Sequence, residues 1–463
     1  MKNTYFDLVD QTFYFPQEGF DLVGNKLRFH GIDLNNLIEK YGTPLKLTYI
    51  PKIADQIKKA RNYFKVAMNK IQYQGKYHYC YCTKSSHFSH VLDEVLDNNT
   101  ELETSSEFDI DLIRKLFYRW DIKKDKIIIN NGFKTPAYVQ KIGGLIADGF
   151  TNVIPVLDNI DEFDLYEKYI EHPTNIGIRL ATEEEPNFEF YTSRLGIRQS
   201  AVLQFYKDKL LKHPKFKVKL LHFFVDTGIK DDIYYWNELK KGIKLYCQLK
   251  KICPDLTGIN IGGGLPIRNS LSFDYDYKYM INEIVRLIKE SCDESKIPEP
   301  DIYTEFGKYT VGESGAIFFS VIGQKQQNDA ELWYMIDNSL MTTLPDSWGI
   351  SERFILLPVN NWENEPQRVN IGGLSCDNAD YYNSEAHINQ VFLPSIKKGQ
   401  NLILGFFHCG AYQDSLSGYG GIKHCLLPSP QHIIVDRDED GNLFDWKMAD
   451  HQDADSMLKL LGY

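Results

Sequence analysis

No apolar run in this 463-residue chain approaches the roughly 18 residues needed to cross a membrane. The longest, around Ala316–Ile322, is strand-sized. The start, MKNTYFDLVDQTFYF, lacks the basic head and apolar core of a secretion signal, so none is expected. Basic residues are outnumbered, 52 against 63 acids, for a net charge of −11. That balance argues against a nucleic-acid partner and mildly favours cationic ligands, although a solvated acidic surface accounts for most of it. Cysteines are few and scattered, at 80, 82, 247, 253, 292, 376, 409 and 425. They suggest reduced thiols in the cytoplasm and not a disulfide framework. Low-complexity tracts and short repeats are absent too.

What remains is an ordinary soluble composition, 43% hydrophobic and 25% charged. The length is too great for one simple core and implies a large domain plus a smaller one. Short β-rich runs alternate with helical stretches. The runs are 76–84, 101–105, 126–132, 152–158, 175–181, 219–226, 257–264 and 301–307. Between them, FSHVLDEVLDN (88–98) puts Val91, Leu92, Val95 and Leu96 on one face, and 234–252 shows similar helical spacing. Eight such strands over about 230 residues predict a (β/α)8 TIM-type barrel, here bounded at 45–312. After about residue 310 the strands are joined by loops, which predicts an antiparallel β domain over 313–463. Residues 1–44, with FYF and KLRFHGI, read as strand-like and are expected to complete that sheet.

The stretch YHYCYCTKSSHFSH (77–90) invites a metal-site reading. Strand alternation sorts it differently. Tyr77, Tyr79, Tyr81 and Thr83 share one face, expected under the helices. His78, Cys80, Cys82 and Lys84 share the other, expected inside the barrel. Cysteines two apart on a strand have Cα atoms ~6.5–7 Å apart, and no second close Cys/His pair with zinc-finger spacing follows. No metal is expected. His87 and His90 fall on the start of the next helix, and for His87 a surface role is favoured over contact with a ligand's surroundings.

Barrel enzymes of this kind carry their chemistry at the C-terminal ends of the strands. Strand one ends in Lys84, strand two near Glu103, and strand five carries Arg179. Strand six ends in Asp226-Thr227-Gly228, strand seven in Gly262-Gly263-Gly264, and strand eight in Glu305 and Lys308. A strand-end lysine can form a Schiff base with pyridoxal phosphate. A carboxylate across the mouth can pair with the pyridine nitrogen. Backbone amides of a glycine loop can hold the phosphate. Singly, each residue has a plainer explanation: a solvent-facing lysine, a glycine turn, a surface acid. Their joint placement on ordered strand ends favours the cofactor.

At these positions the chain resembles the fold-type III pyridoxal-phosphate decarboxylases of basic amino acids, whose barrel is alanine-racemase-like. YCTKSS resembles the family's lysine motif and implies that Lys84 is the Schiff-base residue. GINIGGGLP (258–266) resembles the phosphate loop, implying contacts from Gly263 and Gly264. TEFGKY (304–309) resembles a Glu-Pro-Gly-Arg motif, implying Glu305 at the pyridine nitrogen and Gly307 and Lys308 near the phosphate. FFHCGAY (406–412) implies that Tyr412 reaches the cofactor. LSCDNAD (374–380) resembles the Cys-Asp segment. It implies that Cys376 is the proton donor, supplied by the partner subunit of a homodimer, and that Asp377 binds the distal cation, with help from Asp337. Without that flanking match Cys376 reads as a small hydrophobe. LPDSWGI (344–350) and LGFFHCGAYQDSLSGYG (404–420) resemble biosynthetic arginine decarboxylases, a branch of the family.

The resemblance therefore implies decarboxylation of L-arginine to agmatine and CO2, in polyamine synthesis. The alternatives are the same chemistry on ornithine, lysine, diaminopimelate or carboxynorspermidine, and a catalytically dead regulatory relative. Retention of Lys84, Glu305, Cys376 and Tyr412 speaks against the last. Three departures stand out. Phe224 occupies the place of a ring-stacking histidine, with His222 read as a core residue. Asp226-Thr227 replaces Gly-Ser, leaving Thr227 for the phosphate. Lys308 replaces an arginine, keeping the charge and losing the bidentate fork.

Overall fold

The computed structural model describes residues 3–120, 123–182 and 192–463. Eight parallel strands close into a barrel: β1 (Tyr77–Cys82), β2 (Glu101–Thr104), β3 (Ile128–Asn130), β4 (Val153–Leu157), β5 (Thr174–Arg179), β6 (Phe216–His222), β7 (Gly258–Asn260) and β8 (Asp301–Glu305). Each pairs with the next, and β8 closes on β1 through Tyr303↔His78 and Glu305↔Cys80. The short apolar strands suit a parallel sheet covered on both faces. Cys80, Ile129, Ile154, Val156, Leu220 and Tyr303 pack as one buried cluster. On β1 the alternation runs as expected. Tyr77 stacks on Phe64 of the helix Pro51–Lys70, with ring centroids 4.0 Å apart, while His78 stacks on Tyr303 at 4.4 Å. The connecting helices are amphipathic, and Ser89–Asp97 buries Val91, Leu92 and Val95.

The chain divides into two compact units, 54–266 with 275–310 for the barrel and 1–53, 267–274 and 311–463 for the sheets. This moves the expected boundary. The strand Leu45–Tyr49 belongs to the ten-stranded sheet, between Gly315–Asn328 and Gln431–Arg437. Its sequence, LKLTY, has strand propensity but carries no signal of which sheet it enters. The sheet is also mixed, not antiparallel throughout. Leu45–Tyr49 pairs parallel with Gln431–Arg437, and Glu331–Ile336 pairs parallel with Pro366–Gly372. The N-terminal strands Phe20–Val23, Lys26–Phe29 and Ile32–Asp33 form a separate three-stranded sheet instead of extending the large one. FYF falls at the end of a helix, Tyr5–Phe13, whose start is fixed by a Thr4/Asp7 capping box and whose Tyr5 and Val9 are buried one turn apart.

The sheet unit's core includes Trp362, fully buried, whose indole N–H donates to the Pro358 carbonyl at 2.8 Å. Its ring lies 5.2 Å from Tyr5 and 5.1 Å from Phe15. Trp362→Ala is expected to destabilise this unit by about 3–5 kcal/mol. The check is a lowered urea midpoint followed by circular dichroism.

Candidate active site

Strand register brings the polar residues of the barrel mouth together. β1 pairs with β2 through Cys82↔Glu103. Two residues past Cys82, in the tight turn Thr83–Ser85, comes Lys84. Its Nζ stands 3.6 Å from Glu103 Oε2, with the lysine side chain 47% exposed and the carboxylate 0%. A lysine here keeps one end in a buried wall and its amine in the open mouth. Burial raises the Glu103 pKa above the usual carboxylate value, the Lys84 charge opposes this, and Glu305 adds to it. Among the described residues, neither Glu103 oxygen accepts a full hydrogen bond.

Glu305 ends β8 and is held differently. Its Oε1 accepts from the side-chain amides of Asn131 at 2.9 Å and Asn260 at 2.6 Å. Its Oε2 lies 3.5 Å from His222 Nε2. Two amide donors on one oxygen fix the carboxylate's orientation. His222 is buried and its pKa lies well below 6.5, through burial first and then the nearby charges of Arg179, Lys84 and Lys134. It is a neutral ring. Arg179, His222 and Asn260 occupy one register row across β5, β6 and β7.

The glycine loops after β6 and β7 are knitted together. Ile229 N–H donates to the Gly264 carbonyl at 2.9 Å, and Glu305 N–H to the Gly262 carbonyl at 2.8 Å. Gly264 has φ +92, and a Cβ there would stand 2.7 Å from Gly228 Cα. At Gly263 a Cβ would lie 2.5 Å from the Glu305 carbonyl oxygen. At Gly307 it would overlap Ser85 Oγ. Beside Gly228, the Thr227 hydroxyl is shielded from solvent and makes no hydrogen bond among the described residues. Lys308 opens the short helix Lys308–Val311.

The other residues singled out in the sequence take the following places. His222, read as a core histidine, borders Glu305. Phe224 lies past the end of β6, half-buried near Gly262, whose Cβ would be 3.1 Å from its ring. Asp226 accepts from the Tyr234 hydroxyl at 3.4 Å. His87 bonds Asp109 at 3.0 Å, and Asp109 also accepts from the Ser105 and Ser106 amides. Cys82 donates to the Glu305 carbonyl at 3.1 Å, and its thiol lies within 4.8 Å of the Glu103 and Glu305 oxygens. Cys80 is not in that group. Asn131 and Asn260 were missed; their signal was an amide at the end of an apolar strand run, in KIIINNG and GINIGGG.

Cys376, Asp377, Asp337 and Tyr412 belong to the sheet unit. Cys376 and Asp377 are exposed, and Asp377 Oδ1 accepts from Ala379 N–H at 2.8 Å. Asp337 is already engaged: Thr43 Oγ1 donates to Oδ2 at 2.5 Å and Ser320 N–H to Oδ1 at 3.1 Å. Tyr412 has φ 67, a strained value for a bulky residue and of a kind that clusters at functional segments.

Taken as chemistry, the barrel mouth offers an amine that can bond a carbonyl carbon, a fixed carboxylate at the end of the neighbouring strand, and a cradle of backbone too close for side chains. This defines a barrel enzyme built around a phosphate-bearing carbonyl cofactor, and the unsatisfied Thr227 hydroxyl beside the glycine cradle fits pyridoxal phosphate. Comparison with known proteins agrees. The description "Pyridoxal-dependent decarboxylase, pyridoxal binding domain" matches residues 53–312, over half of the chain. The chain belongs to that family. It is 20% identical to the biosynthetic arginine decarboxylase of Pseudomonas aeruginosa, over 96% of this chain and 85% of that protein. The solved biosynthetic arginine decarboxylase of Campylobacter jejuni superposes with a TM-score of 0.78 at 20% identity, covering 99% of this chain and 90% of that one. Diaminopimelate decarboxylase from M. jannaschii, in complex with L-lysine, gives 0.76 at 18% identity, covering 96% and 97%. No helix among the described residues is long and apolar enough to cross a membrane.

Gly263→Ala is expected to weaken pyridoxal phosphate binding by about tenfold or more, because the loop must shift off the Glu305 carbonyl; one misplaced contact of about 1.4 kcal/mol suffices. An absorbance titration of the apoprotein checks this. Glu103 predicts a pH effect. Its folded pKa lies above the ordinary 4.5, so the folded state binds the proton more tightly than the unfolded chain. That stability is present at low pH and is lost as pH rises through the folded value. Glu103→Gln is therefore expected to raise the melting temperature relative to wild type more at pH 8 than at pH 4, measured by calorimetry on the apoprotein.

Proposed function

We propose that the chain decarboxylates L-arginine to agmatine and CO2, supplying an amine for polyamine synthesis. The observation that carries the reading is the Glu305 carboxylate, clamped by Asn131 and Asn260 at the end of the strand paired with the one that leads to Lys84. Lys84 would hold the cofactor's aldehyde carbon and Glu305 its pyridine nitrogen. Gly263, Gly264 and Thr227 would hold the phosphate, with Gly307 and Lys308 close by. Phe224 and Tyr412 would contact the cofactor. When bound, pyridoxal phosphate supplies an electron sink for the pair released as the Cα–carboxylate bond breaks.

This chain's residues do the rest. Glu103, buried 3.6 Å from Lys84 Nζ, positions the amine at the mouth. Arg179 and neutral His222 line the row beside Glu305, so no second positive charge is placed on the His222 ring. The Cys376 thiol is held protonated, above its usual pKa, chiefly by its hydrogen bond with Cys425. That suits a donor of the proton to Cα. Asp377 would take the guanidinium, which two parallel hydrogen bonds recognise well. Asp337 serves less well, because both its oxygens are spent on Thr43 and Ser320. In this reading the protein is a cytoplasmic homodimer, with Cys376 and Asp377 of one subunit completing the other's barrel mouth.

Likeness to arginine decarboxylases over most of the chain favours arginine. The nearly equal TM-score of a diaminopimelate decarboxylase keeps that substrate as the second reading, against which stands the short Asp377. Family likeness decides reaction class better than substrate. The test is CO2 release from L-arginine, L-ornithine, L-lysine and meso-diaminopimelate. Release from L-arginine is expected, and Lys84→Ala should abolish it together with the visible absorbance of the bound cofactor. An enzyme that releases nothing from arginine but turns over another of the four refutes the substrate; turnover surviving in Lys84→Ala refutes the lysine.

A further inference from the structure

Six of the eight cysteines are buried. The other two, Cys376 and Cys425, are exposed and meet each other, though 49 residues apart. Their sulfurs stand 3.4 Å apart, and the Cys376 N–H points to the Cys425 sulfur at 3.5 Å. A ring nitrogen of His424 lies within 4.8 Å of both sulfurs. The Cys376 loop is anchored by Asp380, which accepts from the amides of Ser375, Leu340 and Met341. On the other side, Cys425 and Leu426 take positive φ, 55 and 53, in a turn that needs a reason for its strain. Closing the sulfur pair to a bond of about 2.05 Å requires a movement of little more than 1 Å. Gly418, Gly420 and Gly421 precede Cys425 and can absorb it.

We propose that Cys376 and Cys425 form a reversible disulfide that switches the enzyme off under oxidising conditions. The oxidant is a peroxide. One thiolate attacks the O–O bond, giving a sulfenic acid and, after protonation of the leaving oxygen, water. The second sulfur then displaces the sulfenic oxygen: the S–S bond forms, the S–O bond breaks, and that oxygen leaves as a second water. Two thiols lose two protons and two electrons, and hydrogen peroxide takes up both. A dithiol reverses the change. The consequence for activity rests on Cys376 being the proton donor, since the oxidised sulfur has no proton to give.

The holoenzyme is treated with hydrogen peroxide, alkylated and digested without reductant. A Cys376–Cys425 cross-linked peptide is expected. CO2 release should fall by about 100-fold, the scale of losing a positioned proton donor, and return with dithiothreitol. Cys425→Ser, which removes the thiol beside Cys376, is read against its own untreated rate. After treatment it should give no cross-link, and its loss should turn irreversible as Cys376 passes to the sulfinic acid. An active enzyme that yields no such peptide overturns the disulfide. So does a zinc ion held by the pair that blocks cross-linking. A cross-link that leaves activity unchanged overturns the switch. A reduced enzyme with no decarboxylase activity is the separate failure of the functional reading.

Discussion

Closure of β8 on β1 is the constraint on which the site depends. The pairing Glu305↔Cys80 sets how far along the barrel the Glu305 carboxylate stands, and Cys82↔Glu103 does the same on the other side of β1. Lys84 emerges between these two acids because it follows Cys82 by two residues. A slip of one residue at either pairing would turn the inward row outward. Lys84 would then lose Glu103, and Glu305 would lose Asn131 and Asn260. The packed interior beneath, with Cys80, Ile129, Val156 and Tyr303, opposes such a slip.

The mouth built on that frame is costly. Glu103 is buried with a half-exposed lysine as its cationic partner, His222 is buried as a neutral ring, and Thr227 keeps a hydroxyl unsatisfied among the described residues. Groups left this way cost stability. They make sense as a surface prepared for a polar ligand, because a bound phosphate and ring nitrogen supply partners that the protein withholds. The glycine loops follow the same logic. Their backbones approach one another so closely that side chains at Gly263 and Gly264 would collide, and the approach exposes amides for an anion.

Much of this could be read from the chain. Period-two runs and intervening amphipathic helices announced eight strands in order, and the odd-even split of YHYCYCTK placed the tyrosines against helices and the cysteines inward. Lys84, Glu305 and the Gly262–Gly264 loop stood out because their types are unusual at the ends of apolar strands. Asn131 and Asn260 were passed over. An amide is chemically quiet, and its value lies in the carboxylate it reaches, 174 and 45 residues away in sequence. His222 is buried as a core histidine should be, and only its nearness to Glu305 was hidden, because depth along a strand says little until the neighbouring strand end is known.

Local pattern was thus enough for strand count, strand order, the inward face and the reactive amine, since each follows from side-chain alternation within a few residues. Long-range pairing lay beyond it. LKLTY has the same strand character whether it opens the barrel or threads a mixed sheet, and the fold places it in the sheet, parallel to Gln431–Arg437. Likewise nothing near LSCDNAD or IKHCLLP announces that Cys376 and Cys425 touch. That contact exists because two loops of one unit are carried together by the strands that precede and follow them, a relation that exists only once the sheet has formed.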